Sequence, residues 1–255
     1  MPNTDHHWVC RALFKYNNRG QPEFDPNKAT KLWYYPPQSE LFSGFPPSIN
    51  KYFGRRLLLS TRKLLKAKLL CSHEGCNAEL TSAGIYPRVR QVLDLDSFYN
   101  LASEYLVCSN CKRKVIAWRL PVVKQLDVGH RRQFRLIVTY NYACDMRVVC
   151  LLRQRGLGNS STQLQKKLTE QHNESWLNHV AHYLTDCQTF VEASKRNLVA
   201  LPKFDSPPNC PAVPKYGWLL NIYYRDVMSR IDEVKASITS IFGKVLKIDS
   251  TKKVC

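Results

Sequence analysis

Residues 67–76 read AKLLCSHEGC, and residues 105–118 read YLVCSNCKRKVIAW. The first stretch sets Cys71 and Cys76 at C-x4-C spacing, and the second sets Cys108 and Cys111 at C-x2-C spacing. Thirty-one residues separate the two pairs. A tetrahedral ion needs four soft ligands converging at about 2.3 Å, and two close pairs, each held by a turn, can deliver them. A lone C-x2-C is a weak signal in a chain with 10 Cys, but two close pairs that each adjoin strand-like sequence are a strong one. Cys71, Cys76, Cys108 and Cys111 are therefore predicted to bind one structural Zn2+, with His73 as the substitute for Cys71 or Cys76. Lys112, Arg113 and Lys114 follow the second pair and would offset the negative charge of a four-thiolate centre. Cys10, Cys144, Cys150, Cys187 and Cys210 have no close partner and read as buried free thiols.

Outward from the pairs the sequence alternates in strand fashion. Tyr86, Val89 and Val92-Leu93 lead to the turn signal Asp94-Leu95-Asp96-Ser97. Tyr99-Asn100-Leu101 and Tyr105-Leu106-Val107 then run into Cys108, and Val115-Ile116-Ala117-Trp118 follows Cys111. This is a β-meander carrying a metal site. Upstream, residues 51–70 carry seven basic positions, Arg55 and Arg56 among them, and no acid. Ala67-Lys68-Leu69 is predicted as a strand leading into Cys71. Residues 1–50 alternate aromatic and proline clusters, such as Trp33-Tyr34-Tyr35-Pro36-Pro37. Pro-Pro pairs oppose helix and central strand, so this part reads as an extended arm whose aromatics pack on a neighbouring surface.

From about residue 134 the period becomes helical, with helices predicted over about 143–155, 161–171 and 174–195. The third would bury Leu177, Val180, Leu184, Cys187 and Val191. Residues 151–168, LLRQRGLGNSSTQLQKKL, end a helix at Gly156 and begin another with Ser160 and Gln163 as a capping box. Such a pair is either an ordinary αα-hairpin or a helix-turn-helix. In the second case Gln163, Gln165, Lys166 and Lys167 would face a DNA groove. His130, Arg131, Arg132 and Arg135 cluster nearby, as phosphate contacts or as a solvated face. Residues 201–214 form a proline-rich linker. A last helix over about 215–242 ends at Gly243, and Val245-Leu246-Lys247-Ile248 reads as a strand.

The expected fold class is α+β: a β-rich, zinc-ribbon-like domain followed by a helical, helix-turn-helix-like domain. The divisions are an arm at 1–50, the zinc-binding β domain at 51–125, the helical domain at 126–200, the linker at 201–214, and a long helix plus strand at 215–255. The chain carries 38 Lys+Arg against 20 Asp+Glu, a formal net charge of +18. Such an excess raises self-repulsion and is naturally explained by a polyanionic partner, DNA before an anionic membrane surface. A merely basic protein is the plain alternative. MPNTDHHWVC at the start has no apolar core, unlike a signal peptide, and no run reaches the roughly 18 apolar residues of a membrane span. A reducing, intracellular setting is expected, where clustered Cys bind metal more often than they pair. No membrane partner is expected, and no small-molecule substrate is evident. Asp249, at the end of the last strand, is placed like the first carboxylate of an RNase H-like nuclease core. Two-metal cleavage needs several carboxylates, so on its own Asp249 reads as structural.

The segments MPNTDHHWVCRALFKYN, FDPNKATKLWYYPP, YACDMRVVCLLRQRGLGNSSTQLQKKLTEQH and VKASITSIFGKVLKIDSTKKV carry a resemblance that covers nearly the whole chain. The chain resembles the N-terminal portion of transposon-derived animal proteins that bear a cysteine-rich domain of unknown function. In longer relatives a transposase-like region with an RNase H fold follows the last segment, and this chain looks truncated as its first strand ends. The resemblance implies a mobile-element origin and a DNA-associated, nuclear setting. It matches Asp249 to a first catalytic Asp, vestigial here because its partner acids are missing. A full-length relative would then be a DDE-type transposase, whereas this chain is expected not to be an enzyme. The expected function is a zinc-dependent DNA-binding and targeting region. The alternatives are a zinc-stabilised protein-interaction module of a domesticated transposon protein, and the nuclease itself in incomplete form.

Overall fold

The longest strand runs from Phe98 to Cys108, and its sequence FYNLASEYLVC changes character midway. Its first seven residues are buried on both faces, while from Tyr105 onward buried and half-buried positions alternate. Burial on both faces is the signature of a central strand, and alternation that of a strand covered on one side. A computed structural model describes residues 1–38, 45–65, 67–154, 160–196, 202–232 and 235–236. In chain order the elements begin with α1 (Asn3–Leu13), β1 (Phe14–Tyr16), β2 (Pro22–Phe24), β3 (Trp33–Tyr34), α2 (Ile49–Tyr52), β4 (Leu57–Ser60) and α3 (Arg62–Leu65). They continue with β5 (Leu80–Ile85), β6 (Arg90–Leu93), β7 (Phe98–Cys108), β8 (Lys114–Ile116), α4 (Leu120–Val123) and α5 (Val128–Gln133). The last are β9 (Leu136–Val138), β10 (Tyr142–Asp145), α6 (Met146–Arg153), α7 (Ser161–Arg196) and α8 (Tyr216–Ser229).

The architecture is α+β, a curled sheet with helices that gather mainly toward the C-terminal side. The strand order is β3-β4-β7-β6-β10-β9, with β5 and β8 added on the two sides of β7. The first half of β7 pairs in parallel with β4, Leu58 opposite Leu101, and antiparallel with β6, Val92 opposite Tyr99. Its second half pairs antiparallel with β5, Leu80 opposite Cys108, and with β8, Leu106 opposite Val115. One strand therefore belongs to the main sheet and to the cysteine-bearing strands alike.

Each sheet face has its own core. Leu58, Val92, Tyr99, Leu101 and Ala143 pack on one side. Leu57, Leu59 and Ala102 pack on the other against Trp8, Val9 and Leu13 of α1. Asp5 fixes α1 in place: its buried carboxylate accepts the Arg55 backbone N–H at 2.6 Å and the Asn100 side-chain amide at 2.8 Å. Those donors offset the cost of desolvating the charge. A third core joins Leu93, Phe98 and Cys144 to Val148, Leu152, Leu164, Leu168, Leu219 and Ile222 of the last three helices. There Arg153 forks onto both oxygens of the buried Asp226 at 2.8 and 2.6 Å, tying α6 to α8. Leaving one charge of such a pair uncompensated costs about 3–5 kcal/mol.

Several elements differ from expectation. The opening residues form a helix and a small hairpin rather than an extended arm, and Trp33-Tyr34 is an edge strand against β4. The strand expected at 67–69 is reduced to the Leu70–Glu79 bridge, and the paired strand upstream is Leu57–Ser60. The helix expected from about 143 starts only at Met146, because Tyr142–Asp145 is β10, lying parallel to β6 inside the sheet with β9 (Leu136–Val138) on its other side. The expected helices at 161–171 and 174–195 are one continuous helix, α7. It buries Leu164, Leu168, His172, Tyr183 and Cys187, whereas Leu177 and Leu184 are 64% and 51% exposed. The proline-rich stretch lies along α7, where Trp176 donates to the Pro208 carbonyl at 3.0 Å and Tyr183 to that of Asp205 at 2.8 Å. The turn at 155–159 and everything from 237 on, including Gly243, the strand at 245–248 and Asp249, lie outside the described residues. Among the described residues no helix is long and apolar enough to cross a membrane.

Candidate metal centre

Two hairpins carry the four cysteines. In the first, the Cys71 N–H bonds the Ala78 carbonyl at 2.9 Å, and the Leu80 N–H bonds that of Leu69 at 2.8 Å. The chain turns between them with Gly75 at φ 74°, and the Cys76 N–H closes onto His73 at 3.0 Å. In the second, β7 turns into β8 through Lys112 at φ 58°, and the Cys108 N–H bonds the Arg113 carbonyl at 3.0 Å. The Lys112 ammonium donates to the Ser109 carbonyl at 2.6 Å, within the same turn. A bond from the Ser109 N–H to the Glu79 carbonyl, 3.0 Å, clips one hairpin to the other. Beneath them lies a core of Leu65, Leu69, Leu80, Leu106, Val122 and Leu126.

The four sulfurs lie within 4.8 Å of one another. Cys71 and Cys111 Sγ are 3.7 Å apart, and Cys76 and Cys108 Sγ 3.6 Å. A disulfide requires about 2.05 Å, so these are not bonded pairs. A tetrahedron with metal–sulfur bonds of about 2.3 Å has edges of about 3.8 Å, close to the spacing found. Three of the cysteines are buried and Cys111 is half-buried. The group can therefore hold a metal ion with four sulfur donors. Burial pushes the Cys108 thiol up, but backbone N–H groups of Cys111 and Asn110 and the neighbouring thiols outweigh it, and the thiol falls to about 6. Cys71 receives a bond from the His73 backbone, yet burial and the crowded thiols push it up to about 11. The same crowding thus acts in opposite directions on Cys71 and Cys108. His73 is exposed and outside the sulfur group. Among the remaining thiols, burial raises Cys10, Cys144, Cys187 and Cys210 above the ordinary range.

The residues predicted to contact nucleic acid fall into four settings. Lys112, Arg113 and Lys114 are exposed beside the sulfur site. Gln163, Lys166 and Lys167 are exposed on the first turns of α7, where Ser160 Oγ caps the Gln163 N–H at 3.1 Å. Arg55 and Arg56 are half-buried, and Arg131 is exposed but bonded within the chain. The Arg55 guanidinium lies 5.9 Å from the Phe98 ring centre, and burial lowers its pKa. Arg56 bonds Asp94 at 2.5 Å and packs over Trp33 and Tyr99. Arg131 donates to the carbonyls of Lys124 and Leu126. Arg132 is exposed and lines a cavity together with Arg56, Arg135 and Arg147.

Sequence reasoning missed the carboxylates behind that cavity. Asp94 reads as a turn residue but is fully buried, held by Arg56 and Arg147. Burial, then the charge of Asp145, raises its pKa despite both guanidiniums. Asp145 caps the Arg147 N–H at 2.9 Å and accepts from the Tyr99 hydroxyl at 2.8 Å. Only the parallel pairing of β6 with β10 brings the two acids together. The signal was present in the adjacency of each Asp to an apolar strand.

No curated protein and no solved structure matches the chain. One family model, the domain of unknown function DUF6729, matches residues 1–228. That stretch takes in both cysteine hairpins, the whole described sheet and nearly all of α8, and the chain belongs to this family.

Proposed function

We propose that the chain is a zinc-dependent DNA-binding and targeting region of a transposase-like, transposon-derived protein, acting in the nucleus and not itself catalytic. The observation that carries the reading is the exposed Lys112-Arg113-Lys114 run beside the four-sulfur site, in a chain of net charge +18. Zinc suits the site because four thiolates at tetrahedral spacing select zinc or an iron–sulfur centre, and two short hairpins are the usual cradle of zinc. Bound there by Cys71, Cys76, Cys108 and Cys111, zinc would supply folding energy, since four protein ligands complete its tetrahedron. The basic run would then be held rigidly and would place phosphate contacts, which give affinity and orientation without reading sequence. The transposon origin and nuclear setting rest on the resemblance of the quoted segments.

Duplex DNA should bind with an affinity that falls steeply between 50 and 200 mM salt, because each phosphate contact releases counterions. R113E/K114E should weaken binding more than tenfold at low salt and flatten the salt slope. K166E/K167E tests the opening of α7 as an added contact. Absence of binding at 50 mM salt overturns the reading. It would favour a zinc-stabilised protein-interaction module, to which the exposed Leu177 and Leu184 on one side of α7 also lend support.

A further inference from the structure

The rim of the sheet gathers residues that are distant in sequence. Arg56 precedes β4, Tyr99 lies at the start of β7, and Asp145 ends β10 before Arg147 opens α6. Trp33 of β3 closes the same rim. Between them is a cavity of about 390 Å3, with Arg132 and Arg135 completing its wall. That size lies in the roughly 300–1,000 Å3 range of small-ligand sites.

The charges in this cavity do not cancel. Four arginines line it, Arg56, Arg132, Arg135 and Arg147. Asp94 takes both Arg56 and Arg147, and Asp145 lies 3.7 Å from the Arg147 Nε. Tyr99 donates to Asp145 from the other side, so the two acids are already satisfied. Arg132 and Arg135 have no carboxylate within ion-pair distance among the described residues. Two arginines without an acidic partner among the described residues thus share a wall with two that are paired and fixed. The backbone is fixed as well, because the Arg135 carbonyl accepts the Met146 N–H at 2.9 Å. A cation is repelled by this arrangement. An oxyanion is attracted, and planar guanidinium forks match the paired oxygens of a phosphate. A phosphomonoester carries close to two negative charges at neutral pH, the number that the two free guanidiniums would neutralise. Half-buried Trp33 and Leu32 line the cavity beside the charges, and the Arg56 guanidinium over the Trp33 ring extends an aromatic–cationic edge that a planar ring can lie against.

We propose that this cavity binds a nucleotide, its terminal phosphate held by Arg132 and Arg135 and its ring lying beside Trp33. The site is separate from the duplex contact proposed at Arg113 and Lys114, so either can fail alone. The shared chemistry, a phosphomonoester on a nucleoside, is found on a free mononucleotide and on the phosphorylated 5′ end of a strand.

Calorimetric titration of the full, metal-loaded chain at low salt tests it, with AMP, a 5′-phosphorylated tetranucleotide, the same strand with a 5′-hydroxyl, and adenosine. Saturable binding of AMP or of the phosphorylated strand is expected, at least tenfold tighter than of their unphosphorylated counterparts. Tighter binding of AMP assigns the free nucleotide, and tighter binding of the strand assigns its end. R132Q/R135Q should weaken that binding at least tenfold with the thermal unfolding curve unchanged, since neither side chain is ion-paired. R113E/K114E should leave it intact. Three results would overturn the proposal: no saturation by either phosphorylated ligand, equal binding of the unphosphorylated forms, or unchanged affinity in R132Q/R135Q.

Discussion

Cys108 ends the central strand with its thiol inside the sulfur group, whereas Cys187 lies on α7 near Tyr183. The two buried thiols separate ligation from packing. Freshly purified protein should hold about one zinc per chain. C108S should lose it, because three sulfurs and a hydroxyl hold zinc poorly, while C187S should keep it. Elemental analysis of the three proteins decides the matter, and a wild-type chain without zinc refutes the assignment. The four-cysteine group was legible in the sequence because each pair is written locally, within one turn. The arginine cavity was not, because Arg56, Asp94, Tyr99, Asp145 and Arg147 meet only through strand pairing. Arg55 and Arg56 stand in a basic run that suggests a surface, but buried acids claim them. Asp5 binds the Arg55 N–H and Asp94 the Arg56 guanidinium.

At the scale of elements, α7 meets the sheet through His172. Its Nε2 donates to the Asp94 carbonyl at 3.0 Å, and its ring stands edge-on to Phe98 at 5.1 Å. Burial lowers its pKa, so the folded state favours the neutral ring. The unfolded chain titrates near the ordinary value of about 6.5, and there it binds the proton more readily than the folded chain. Stability is therefore full above about pH 6.5 and declines as pH falls toward the folded-state pKa, by at most about 1.4 kcal/mol per pH unit. Urea unfolding at pH 7.5 and 5.5 should show this loss in the wild type and a smaller one in H172Q, which keeps a donor but does not titrate. Equal losses would show that His172 is not the group responsible. The meander from Ile85 to Ile116 was readable because antiparallel strands alternate. β10 was not: Ala143 and Cys144 are fully buried in a strand flanked on both sides, and such a run merges in sequence with the helix that follows. α1 was hidden by the prolines around it, although Pro2 stands just outside the helix, where it does no harm.

At the scale of the molecule, the sulfur site and the main sheet hold the same strand from its two ends. Loosening the far half of β7 leaves the near half with fewer fixed neighbours. Removing the metal with a chelator should speed amide exchange beyond the hairpins at 69–80 and 105–116, reaching β4 and β6. Hydrogen exchange followed by mass spectrometry measures this. Faster exchange confined to the two hairpins would mean that the site unfolds as a separate unit. The net charge of +18 acts at the same scale, since it opposes compaction and makes salt or a polyanion stabilising.

β7 also works as a ruler. Leu101 packs in the main sheet and Cys108 reaches the sulfur group, with one unbroken strand between them. Gaining or losing a single residue in that interval would turn Cys108 to the opposite face, away from the other three thiols. Gaining two would restore the face but carry the sulfur about 7 Å along the strand, far outside bonding reach. The turn between β1 and β2, at Asn17–Gly20, sets no such distance, and its length is free to drift between relatives. Descent can therefore rewrite many side chains of β7 while leaving its count of residues untouched.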